Sequence, residues 1–184
     1  MESFKIWLLT VGATITYGIA QDQVTARVSI EYFTIGHAAI FPTESPTLIA
    51  IGWGIWATWW VGAIMGLLFA LVARFGSRPK TAVRDLVKPG GLLIACVGYA
   101  ALLFGMLGFV AAELGLVSLS GYLAANVPAG GHARFIADAW AHTAAYGVGF
   151  VGGFLFAGWV WLRRGKATPT TLTPALSPSS PASG

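Results

Sequence analysis

Apolar positions in this chain fall in long unbroken blocks, without the alternation of a half-buried strand or the narrow stripe of a surface helix. "PTLIAIGWGIWATWWVGAIMGLLFALVARF", Pro46 to Phe75, carries no charge before Arg74. "GGLLIACVGYAALLFGMLGFVAAELGL", Gly90 to Leu116, carries only Glu113. "AWAHTAAYGVGFVGGFLFAGWVWL", Ala139 to Leu162, has no formal charge, only His142. About 20 such residues cross the hydrocarbon layer of a bilayer, so each block predicts a transmembrane helix. The first block, "FKIWLLTVGATITYGIA" from Phe4 to Ala20, has the weak positive start of a signal peptide in Lys5. The "AQDQ" junction after it is a poor small-x-small cleavage site, so a retained first span is expected.

The pattern predicts an all-α integral membrane protein. Its membrane domain covers residues 1–166, with four spans in a small bundle at about 4–20, 46–74, 90–116 and 139–162. Between the first two lies "RVSIEYFTIGH", Arg27 to His37. "VTARVSIEY" alternates like a strand, yet Val24, Val28, Tyr32 and Ile35 also stack at helical spacing. A lone strand near lipid would leave open edges, so a short interfacial helix of about ten residues, ending before Gly36, is expected there. Residues 167–184, rich in proline, serine and threonine, cannot bury enough surface to fold and predict a disordered cytoplasmic tail.

Composition agrees with this class. The chain is 56% hydrophobic and only 10% charged, too few polar groups to cover three buried helices in a soluble protein. GxxxG pairs at Gly62/Gly66 and Gly149/Gly153 mark places where helices can approach closely. They sit in similar strings, "VGAIMGLLFA" and "VGFVGGFLFA", which raises a two-hairpin duplication. Cys96, the single cysteine, forms no intrachain disulfide and reads as a small packing residue.

Charge adds an orientation. Under an alternating four-span arrangement, nine of the eleven lysines and arginines fall on one side: Lys5, Arg74, Arg78, Lys80, Arg84, Lys88, Arg163, Arg164 and Lys166. Only Arg27 and Arg134 fall on the other. The positive-inside rule then predicts a multi-pass protein of the plasma (inner) membrane with both termini cytoplasmic. The expected partners are the bilayer itself and anionic lipid at the cytoplasmic face; a nucleic-acid surface is not indicated.

Candidate chemistry gathers on the outer side. His37, His132 and His142 fall there, as do Asp22, Glu31, Glu44, Glu113 and Asp138. Glu113 near hydrocarbon needs a partner or water. Asp138 and His142 stand four apart, so they share a helix face; the acid can ligate a metal with the histidine, orient its ring, or simply cap span four. Glu31 at four residues from Arg27 reads as its ion-pair partner. Glu113, Asp138 and His142, with His132 or His37, form the candidate metal set, whose nitrogen and oxygen ligands suit zinc, iron or manganese. No HExxH or paired ExxH spacing accompanies them.

Three function classes follow. The first is a non-catalytic scaffold or accessory subunit, packed against other membrane proteins or its own copies. The second is a membrane enzyme or redox protein with an outer-face His/carboxylate metal site. The third is a small transporter, with Thr14, Thr16, Thr58, Tyr99 and Tyr146 as the polar groups available to line a path; it lacks charged groups near the midplane.

Overall fold

The computed structural model describes residues 1–166; the tail expectation for 167–184 lies outside them. Among the described residues the chain is all helical, with four helices long and apolar enough to cross a membrane. In chain order they are α1 (Glu2–Val28), a single turn α2 (Glu31–Thr34), α3 (Pro46–Arg74), α4 (Val83–Glu113), a short α5 (Gly121–Asn126) and α6 (His132–Lys166). Their outward faces carry exposed apolar side chains such as Leu8, Leu67, Leu102 and Leu155.

The helices run past the apolar blocks because their ends carry their own stop and start chemistry. Ser45 caps α3 by accepting from the Leu48 amide, and Pro46 follows at the first helical position. The Asp85 carboxylate accepts from the Ala82 amide and starts α4 well before Gly90. At its other end Gly115, at φ +69, closes a Schellman turn: the Leu116 amide bonds the Ala111 carbonyl and the Gly115 amide the Ala112 carbonyl. A turn of 3-10 helix after Pro128 leads into α6 at His132. Asp138 therefore sits two turns inside α6 and is not its cap. The interfacial helix of ten residues is also absent: α1 continues through Val28, and only Glu31–Thr34 forms a separate turn.

Two antiparallel hairpins result, α1 with α3 and α4 with α6. Small residues let the first pair close. On α3, Ala50, Gly54, Thr58, Gly62, Gly66 and Ala70 repeat every fourth position, and the backbone of α1 lies against them. A Cβ on Gly62 would fall 2.9 Å from the Val11 Cα, and one on Gly66 3.1 Å from the Trp7 carbonyl. Hydroxyls of Thr10 and Thr14 on the same helix satisfy themselves on backbone carbonyls one turn back. The second GxxxG pair serves differently. Gly153 faces Met65 across the bundle, and Gly149 meets open space.

At one end the hairpins join through an apolar core. Ile6, Phe69, Leu86 and Val160 form a core there with one side chain from each long helix. Arg164, 3% exposed, donates to the carbonyls of Val72, Phe75, Arg78 and Pro79, the unpaired acceptors beyond the last turn of α3. Lys5, Arg74, Arg78, Lys80, Arg84 and Lys88 lie at this same end. Further up, α3 and α6 run parallel in contact through Trp60 with Phe150 and Phe69 with Phe156.

Candidate functional site

At the other end, the space between the hairpins finishes in a polar cluster. α1 delivers Asp22 from one turn above Gly18, where α1 touches Gly54 of α3. α6 delivers His142. The His142 Nε2 lies 3.1 Å from Asp22 Oδ1, and its Nδ1 lies 2.8 Å from the Asp138 carbonyl oxygen one turn back. Both ring nitrogens thus face acceptors. The Nδ1–H donates to the carbonyl, and Nε2 shares a hydrogen bond with the Asp22 carboxyl group. Asp22 is 5% exposed, so this link joins the two hairpins away from bulk water.

The stretch from Arg27 to His37 folds over that pair. Tyr32 stacks on the His142 ring at 4.4 Å and 24°, and Phe33 meets it edge-on at 5.8 Å. His37 Nδ1 donates to the Tyr32 carbonyl at 2.8 Å, and its ring contacts Tyr32 and Trp53. Gly36 makes the fold-back possible, since a Cβ there would sit 2.6 Å from the Tyr32 carbonyl and 2.9 Å from Phe135. Burial, with Tyr146, Asp22 and Asp138 close by, pushes the Tyr32 phenol above its ordinary range and keeps it protonated. Glu31 does not pair with Arg27. It accepts from the Ser29 hydroxyl at 2.8 Å, while Arg27 turns to Gln23 and Thr47.

The candidate metal residues divide. Asp138, 2% exposed, faces the Ser29 amide, and its Oδ2 has no hydrogen-bond partner among the described residues. Its backbone carbonyl, not its carboxylate, orients His142. His132 is held by the Val127 carbonyl at 2.9 Å, and Glu113 is exposed at the end of α4 with no ion pair or hydrogen bond among the described residues. Among the described residues no three His, Cys, Asp or Glu side chains converge to hold a metal ion. The partner that sequence reasoning missed is Asp22, which it set outside the first span. Its signal was an acid on the helical continuation of that span, four residues after Gly18.

Below the cluster lies a cavity of about 720 Å3 between the hairpins. Asp22, Tyr32, His37 and His142 line its polar end, with Tyr17, Gln21 and Tyr146 just below. The rest is apolar, walled by Trp53, Trp56, Trp60, Phe150, Phe156 and Leu93 down to Ile6 and Leu86. Contacts between α3 and α6 close one side. On the other, Tyr17 bridges to Val97 near the polar end, while Gly90 and Gly91 leave an opening between α1 and α4. Of the polar groups considered for a transport path, Thr14, Thr58 and Tyr146 line this cavity, and Tyr99 is exposed on the outside.

Fold and cavity define a four-helix protein whose helices are able to cross a membrane. No protein-family model, curated protein or solved structure matches the chain.

Proposed function

We propose that this chain is a small multi-span membrane protein that holds one single-chain amphipathic lipid between its hairpins. The observation that carries this reading is a cavity polar at one end and apolar along the rest of its length. From Asp22 to Ile6 it follows about 16 residues of α1, roughly 24 Å at 1.5 Å per residue, the reach of a long hydrocarbon chain. A cavity of about 720 Å3 and that length suits one such chain with a compact head. The opening at Gly90 and Gly91 gives a tail lateral entry from the bilayer. By the distribution of basic residues the head-group end faces away from the cytoplasm. The non-catalytic, accessory character expected from composition is kept and given a ligand.

Mass spectrometry of the protein purified into nanodiscs tests this. One lipid species should be enriched near one equivalent over the bulk lipid. Gly149→Phe, which points a ring into open space in the cavity, should expel it while the protein stays folded. Identical lipid content in both proteins would refute the reading.

A further inference from the structure

We infer that the head group of this lipid is a neutral, hydroxyl-bearing ring, the chemistry of an isoprenoid hydroquinone, an inference that rests on the lipid-binding reading above. Charge excludes most other heads. Among the described residues no lysine or arginine lines the cavity, so a phosphate or carboxylate head would meet Asp22 without a lysine or arginine to receive it. The two arginines at this end are committed elsewhere, Arg27 to Gln23 and Thr47 and Arg134 to the Gly130 carbonyl. An ammonium head fails for the opposite reason. Asp22 is already engaged by the His142 Nε2, and a cation would compete for the same carboxyl group. If it displaced the Nε2 proton, the bare nitrogen would face Asp22 Oδ1, lone pair against lone pair.

Besides the His37 Nε2, two groups remain free at the polar end among the described residues. Asp22 uses only Oδ1 on His142, and its Oδ2 makes no hydrogen bond among the described residues. The Tyr32 hydroxyl is likewise without a partner there, although the ring is fixed by its stack on His142. A carboxylate oxygen accepts a hydroxyl proton, and the phenol donates to or accepts from a second ring oxygen. The surroundings favour a flat group. Trp53, His37, Tyr32 and His142 touch ring to ring in succession, with centroids 5.0, 4.8 and 4.4 Å apart.

Four ligands with one decyl tail separate the possibilities: decylhydroquinone kept reduced, decylbenzene, decylamine and decanoate. Binding to the protein in phosphatidylcholine nanodiscs is read from tryptophan fluorescence, since Trp53, Trp56 and Trp60 line the cavity, and from the thermal shift. The hydroquinone should bind about tenfold tighter than decylbenzene, the worth of one charge-assisted hydrogen bond. Tyr32→Phe and Asp22→Asn should each bring it toward decylbenzene and leave decylbenzene itself unchanged. Tyr32→Phe keeps the stacked ring, so it remains informative if Asp22→Asn does not fold. Decylamine or decanoate binding as tightly as the hydroquinone would overturn the inference, as would wild-type hydroquinone affinity in Tyr32→Phe. Equal binding of all four ligands would keep the lipid cavity and remove the head-group assignment. Binding of none would remove both.

Discussion

Gly54→Ala is a small change with a large expected effect, because the added methyl meets backbone. A Cβ at Gly54 would lie 2.5 Å from both the Cα and the amide nitrogen of Ile19, and 2.8 Å from the Gly18 carbonyl carbon. No rotamer can relieve a contact with main chain. Carbon atoms rest at about 3.5–4.0 Å, so α1 and α3 must part locally by about 1 Å. A gap of that size forfeits a quarter to a half of each neighbouring contact. With about 20 atom pairs of ~0.15 kcal/mol around the site, the loss is ~0.75–1.5 kcal/mol before any strain. Overpacking of this kind costs ~1–3 kcal/mol in general, and the helix preference of alanine over glycine returns ~0.5–1. The net expectation is a destabilisation of up to ~2 kcal/mol. Gly147 is the control: it lies on α6 with no atom within 4 Å of a Cβ, so Gly147→Ala should be neutral or slightly stabilising. Unfolding by SDS titration in mixed micelles, followed by tryptophan fluorescence, measures both. A Gly54→Ala protein as stable as Gly147→Ala would show that the α1–α3 approach is not the close contact described here.

Asp138→Asn should stabilise the protein by ~1 kcal/mol, because a buried unpaired carboxylate oxygen costs ~1–3 kcal/mol and an amide donor there would face Asp22 and Glu31. A lower melting temperature in that variant would mean that Oδ2 is served by a bound partner. In a Cys96→Ala background, Ser118→Cys should react with an impermeant thiol reagent added from outside intact cells, and Ser77→Cys only after lysis. Outside labelling of Ser77→Cys would invert the proposed orientation.

Composition and pattern alone were sufficient for the helices, since apolar runs of about 20 residues with few charges have the length and composition of a membrane-crossing helix. The small residues at Gly62 and Gly66 were legible for the same reason: in a chain of large apolar side chains, gaps at four-residue spacing mark where another helix can lie. The helix ends were not, because a Schellman glycine at 115, an aspartate cap at 85 and a proline before residue 129 act through local geometry that hydropathy does not register. Nor was the site. Asp138 and His142 were picked out by their spacing on one helix, yet the carboxylate that His142 binds comes from Asp22, 120 residues earlier. That pairing depends on how far α1 extends past its apolar block, on the approach of Gly18 to Gly54 that sets its height, and on the turn at Gly36 that lays Tyr32 over the ring. The cavity has the same origin. It lies between two hairpins that are joined at one end by the core around Ile6 and Val160 and at the other by Asp22 with His142, a relation between elements that no stretch of sequence contains.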